Sequence, residues 1–226
     1  MQQTHTPGNP LVLSYLELRA IVGVIGLALP FVLWIGGHHA GTWLPNPSLS
    51  SYYYTGMRNW FVASLCVIGA FLGACKGYDL RDEVAGYIAG ISAIGVAFFP
   101  TSCGCDTTNL VGYVHYIFAA ILFATLAYFC IFQFTQSTDP AGMTPRKLTR
   151  NSVYRVCGGI IVACILAMLA LKIPAIDAML DPCSRLTFCL ESTAILAFGF
   201  AWITKGEAIL KDKPRDAANP AATPQA

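Results

Sequence analysis

Six apolar windows, each close to the length of a membrane-crossing helix, recur along this chain and leave little room for another kind of fold. They run near residues 16–37, 59–76, 84–101, 110–135, 153–173 and 185–204. A hydrocarbon core about 30 Å thick takes roughly 20 apolar residues of helix. No water is available there to pair with the backbone, so each segment must satisfy its own N–H and C=O groups. Helix is therefore the expected state of all six. Turn-forming runs separate them, among them Gly36-Gly37-His38-His39-Ala40-Gly41 and Asp139-Pro140-Ala141-Gly142. Only 12% of the 226 residues are charged, against about 25% in soluble domains, too few to cover a water-facing surface. The expected fold is all-α: a compact bundle of six transmembrane helices within residues 1–207. Residues 208–226, charged and then Ala/Pro-rich, read as a disordered cytoplasmic tail. The first window exceeds the 7–15 apolar residues of a secretory signal, and no Lys or Arg precedes Arg19, so an uncleaved first helix is expected.

The basic residues orient the bundle. Alternating the loops places Arg19, Lys76, Arg81, Arg146, Lys147, Arg150, Arg155, Lys205, Lys211, Lys213 and Arg215 on one side, and only Arg58, Lys172 and Arg185 on the other. Positive charge concentrates on the cytoplasmic face. Both termini are thus expected inside, in the inner membrane of a bacterium. A net charge of +2, with no basic tract, implies no nucleic-acid partner. The expected partners are membrane lipid and, beyond it, another membrane protein. Small residues four apart (Gly69 and Gly73, Gly86 and Gly90, Ala89 and Ala93) allow close backbone approach, so the second and third helices are expected to be interior members of a compact bundle.

Polar residues within a membrane are costly, and each demands a reason. On the outer side Arg58, Asn59, Asp106, His115 and Glu191 fall at or just below the surface. At 1.5 Å per residue, His115 lies about 7 Å inside the fourth helix, and Glu191 at similar depth in the sixth. Ser184, Thr187 and Glu191 form one polar stripe. Arg58 stands where positive charge is avoided, so a carboxylate partner, Glu191 or Asp106, is expected. Together Arg58, His115, Glu191, Asn59 and Asp106 outline a polar cavity open to the outer face. The competing expectation is that Glu191 hydrogen-bonds across the bundle as structural glue. The run Tyr52-Tyr53-Tyr54 beside Arg58 reads mainly as part of an aromatic belt at the interface.

Of the nine cysteines, Cys103, Cys105 and Cys183 fall in outer loops, where a disulfide from Cys183 to Cys103 or Cys105 is permitted. His38, His39 and His115 are the candidate metal ligands. They lack the HxxxH or CxxC spacing of zinc sites, so no metal and no cofactor is expected. Neither a phosphate loop nor a nucleophile elbow occurs.

The segments SYYYTGMRNWFVASLCVIGAFL, KGYD, AIGVAFFPT, VHYIFAAILFATLAYF, RNSVYRVCG and FGFAWITKGE resemble a widespread bacterial family of uncharacterised six-helix membrane proteins. The resemblance spans residues 14–207. More distantly, Ser51-x-x-x-Thr55-Gly56 and the His115-led fourth helix are similar to the FRAG/DRAM/Sfk superfamily, with Tyr52 where an acidic residue usually follows the serine. That likeness implies lipid handling or processing of membrane proteins. Alkaline-ceramidase-like hydrolases carry a His-x-x-x-His pair on a late helix, whereas the last window here has Glu191 and no histidine. The leading expectation is a non-enzymatic membrane protein that binds a lipid or amphiphile, or supports other membrane proteins. Two alternatives stand beside it: a membrane-embedded metal-dependent hydrolase using His115 and Glu191, and a small ion- or proton-coupled transporter with Glu191 as its site.

Overall fold

The computed structural model describes residues 15–38, 46–74, 79–102, 109–137, 144–177 and 184–206. In chain order these form α1 (Tyr15–His38), α2 (Arg58–Ala74), α3 (Leu80–Phe98), α4 (Leu110–Tyr128), α5 (Pro145–Ala170), the single turn α6 (Pro174–Asp177) and α7 (Leu186–Lys205). A 3-10 turn, Ser50–Tyr54, precedes α2, and a π turn, Phe129–Gln133, extends α4. Among the described residues there is no strand.

Local chemistry starts three of these helices. The side chains of Asp79, Asn109 and Thr144 accept hydrogen bonds from the N–H groups of Asp82, Gly112 and Lys147 at 3.0, 2.8 and 3.1 Å. Each such cap contributes about 1 kcal/mol. Thr144 is followed by Pro145 in the first turn, where a missing N–H costs nothing. Helix α5 consequently begins well before the apolar window that starts at 153. Hydropathy marks the lipid-embedded stretch, whereas the cap marks the helix.

The long helices close into a ring. α1 packs on α2, α2 on α3, α3 on α4, α4 on α5, α5 on α7, and α7 back on α1, with only slight contact across the ring between α4 and α7. The tightest crossing joins α2 to α3. A Cβ placed on Gly90 would stand 2.6 Å from the Gly69 carbonyl oxygen, and one on Gly69 would stand 2.8 Å from that of Gly90. The small residues of these two helices therefore meet each other, which the spacing alone does not specify. A second crossing went unmarked by spacing: a Cβ on Gly199 of α7 would lie 2.9 Å from the Gly23 carbonyl oxygen of α1.

Among the described residues four helices are long and apolar enough to cross a membrane: Arg19–His38 of α1, Leu110–Gln133 of α4 with its π turn, α5 and α7. α2 is apolar but shorter. In α3 the small residues face inward and the large ones outward. Ala89 and Ala93 are fully buried, while Ile91 and Phe98 are 63% and 62% exposed. That is the reverse of a water-soluble bundle, where the large apolar side chains face the core.

Inside the ring, the end where α2, α4 and α7 begin is covered by residues 46–57, which we term the lid. The opposite end is filled by Phe129, Phe134, Tyr154, Phe198 and Trp202. Phe134 lies 5.1 Å from Trp202 and 5.5 Å from Tyr154, ring centre to ring centre, both edge-on.

Candidate functional site

Between lid and aromatic plug lies a cavity of about 30 Å³, room for a water or two. Leu29, Phe61, Leu65, Val96, Ala119, Leu122, Phe123 and Ile195 line it, so that five helices contribute, and Leu49 and Ser50 of the lid close it. Among the described residues that line it, the ionisable one is Glu191, about a turn into α7.

The Glu191 carboxylate is bound to the lid backbone. Leu49 N–H donates to Oε2 at 2.6 Å, and the Ser50 amide bonds to the same carboxylate. These amides open the 3-10 turn Ser50–Tyr54 and have no partner within it, as in the first turn of any helix. Glu191 therefore caps that turn from another helix. Next to it Phe188 N–H donates to the Pro47 carbonyl at 2.9 Å, so α7 holds the lid at two points. Lys172, exposed at the same end, is the cation whose charge reaches the carboxylate.

The three tyrosines of the lid do three different things. Tyr52 is buried, with its ring against Gly37, where a Cβ would stand 2.6 Å from Cε1. Burial pushes its phenol above the ordinary tyrosine range. Tyr53 receives Arg58: the guanidinium hydrogen-bonds the phenol oxygen and lies 4.1 Å from the ring centre. Tyr54 donates its O–H to the Thr101 carbonyl at 2.6 Å, tying the lid to the chain after α3. Only Tyr54 is exposed in the manner of a belt residue.

His115 is buried, and its Nδ1 lies 2.7 Å from the Phe99 carbonyl. A carbonyl only accepts, so Nδ1 carries the proton. The imidazole thereby satisfies a carbonyl at the C-terminal end of α3. Among the described residues no hydrogen bond or ion pair joins Arg58, His115 and Glu191; each has its own backbone or ring partner. Asn59 is exposed on the first turn of α2. Asp106, His39, Cys103, Cys105 and Cys183 lie outside the described residues, so the proposed disulfide does too. Cys66, Cys130, Cys157, Cys164 and Cys189 are free thiols. His38 ends α1, and among the described residues no group of three or more His, Cys, Asp or Glu side chains comes together as a metal-ligand set.

No protein-family model, curated protein or solved structure matches the chain.

At the opposite end, the Phe134 carbonyl accepts hydrogen bonds from Lys147 Nζ at 3.0 Å and Lys205 Nζ at 3.2 Å. In the sequence, Lys147 belongs to a basic stretch, Arg146–Arg155, of the kind that can hold anionic lipid headgroups, and Lys205 to the charged end of the last window; nothing there joins the two. The Phe134 carbonyl stands just past the π turn, and no periodicity in the sequence signals a π turn.

Proposed function

We propose that the protein crosses the bacterial inner membrane six times, with both termini on the basic, cytoplasmic side, and binds an amphiphile in the chamber beneath its outer lid. Support for six spans comes from the ring, which needs α2 and α3 as members, and from the large outward-facing side chains of α3. The single observation behind the binding function is the chamber's polarity. A carboxylate stands at one end and hydrocarbon lines the rest. Such a wall suits a molecule with a donor-bearing or cationic head and an apolar body. The head would replace the Leu49 and Ser50 amides at Glu191. The apolar body would take the space opened as the lid lifts, since the closed chamber is too small for a chain. The resemblance to lipid-handling six-helix proteins points the same way.

Filling the chamber tests this. Ala119→Val adds two methyl groups, about what the chamber can hold, at a position lining it with Leu122, Phe123 and Val96. Wild-type protein purified in mild detergent should carry an organic ligand visible by native mass spectrometry, and the filled variant should fold and lack it. Equal retention by both would overturn the proposal, as would a wild-type protein without bound ligand after extraction in several detergents.

A further inference from the structure

We infer that Lys147 and Lys205 form a phosphate-binding site at the basic end of the ring, used by the headgroup of an anionic phospholipid. The site lies at the far end from the chamber and does not depend on what the chamber holds.

Geometry carries the inference. Both ammonium nitrogens are held to one oxygen, at 3.0 and 3.2 Å, so they are at most 6.2 Å apart. Charge-assisted bonds of about 2.8 Å let a single phosphate oxygen bridge nitrogens about 5.6 Å apart, and two oxygens of one phosphate reach further. The lysines come from the first turn of α5 and the last turn of α7, two helices that pack together. Their spacing is thus set by the fold and not by two independently wandering side chains. Rings floor the site: Lys147 Nζ lies 5.9 Å from the centre of Tyr154, and Lys205 Nζ lies 5.9 Å from that of Phe134. Such contacts keep the long lysine stems ordered.

The surroundings fit a lipid better than a free ion. Both lysines are half-buried at helix ends, the depth of a headgroup. Exposed Phe132 of the π turn, Leu148 of α5 and Phe200 of α7 lie toward the same end, where acyl chains would run. Arg146 stands beside Lys147 and adds to the field there.

The test uses the full-length protein in detergent or nanodiscs and measures retention of phosphatidylglycerol against phosphatidylcholine by native mass spectrometry. Phosphatidylglycerol should be preferred. Lys147→Gln and Lys205→Gln should each weaken it about fivefold, and the pair about twenty-five-fold. Arg155→Gln, on the exposed face of the same helix, should change it less than about twofold if fixed geometry and not general charge is responsible. The chamber-filled Ala119→Val protein should keep phosphatidylglycerol, which separates failure of this site from failure of the chamber. Should inorganic phosphate alone protect the two lysines, with no preference between the lipids, the phosphate site stands and the lipid source falls. Unchanged retention in the double variant, or an Arg155→Gln effect equal to either lysine's, overturns the site. If the double variant does not fold, amine-reactive footprinting of the wild type decides. Lys147 and Lys205 should label more slowly in phosphatidylglycerol nanodiscs than in phosphatidylcholine, and equal labelling overturns the proposal.

Discussion

Removing the Glu191 carboxylate should loosen the lid while leaving the ring closed. The carboxylate binds two lid amides, Leu49 at 2.6 Å and Ser50 beside it. A hydrogen bond to a charged group contributes about 1.5–3 kcal/mol, and a buried N–H left without a partner costs a similar amount. Leu49 is 4% exposed, so water only partly replaces the lost acceptor. For Glu191→Ala we therefore expect local opening of the lid to become easier by about 2 kcal/mol, or about 30-fold at 1.4 kcal/mol per decade. Glu191→Gln keeps one acceptor oxygen and loses the charge, and should cost about half as much. Hydrogen exchange in detergent reads this directly. Exchange should quicken at Leu49 and Ser50. It should change much less at Ser51, Tyr52 and Thr55, whose amides bond to Ser48 Oγ, Leu49 O and Tyr52 O. Peptides from α4 and α5 should keep their wild-type rates. Unchanged exchange at Leu49 in a folded Glu191→Ala protein would refute the capping role. An equal rise throughout the bundle would show instead that the carboxylate supports the whole fold.

Two further predictions concern the helices. Gly90→Ala sets a methyl 2.6 Å from the Gly69 carbonyl oxygen, so α2 and α3 must separate by several tenths of an ångström. Overpacking of this kind costs about 1–3 kcal/mol, whereas Gly159→Ala meets nothing within 4 Å and should gain up to about 1 kcal/mol from helix propensity. Thermal melts followed by dye labelling of buried Cys130, Cys157 and Cys164 should order the proteins Gly159→Ala, wild type, Gly90→Ala from most to least stable; a Gly90→Ala melt at or above wild type would refute the tight crossing. The charge asymmetry also predicts that a C-terminal reporter active only outside the cytoplasm stays silent, and a reporter that lights up would remove the six-span proposal.

The helices were legible because the bilayer imposes their length, and five of the six windows fall within a few residues of a helix. The exception, α5, runs past the start of its window because Thr144 and Pro145 start it in a polar stretch. The lid was not legible. Ser50–Tyr54 has no period of its own, and its fold depends on a carboxylate from a helix far along the chain. Gly69 and Gly90 stood out because each had a small partner four residues away. Gly23 and Gly199 did not, although their crossing is nearly as close. The depth of a polar residue can be counted from a window's edge; its partner depends on how helices are rotated against each other. Glu191 and His115 each lie about one and a half turns inside their helices, while their backbone partners came only with the structure.

That distinction explains why the polar residues within this bundle take backbone partners. A helix ending near a membrane leaves N–H or C=O groups unpaired where water is scarce. Three such ends are met here by side chains from another helix. Glu191 of α7 takes the amides at the start of the lid turn, His115 of α4 takes the Phe99 carbonyl beyond α3, and Lys147 and Lys205 take the Phe134 carbonyl beyond the π turn. In each case the donor or acceptor chemistry matches the helix end: a carboxylate at an N-terminus, and N–H groups at a C-terminus. A side chain that caps in this way remains able to serve a ligand of the same polarity as the backbone group it holds. A cationic or donor-bearing head can take the place of the lid amides at Glu191, and phosphate oxygens can join the carbonyl at the lysines. Capping and binding are therefore compatible at these positions, because the charge that steadies the helix end is also the charge a proposed ligand would meet.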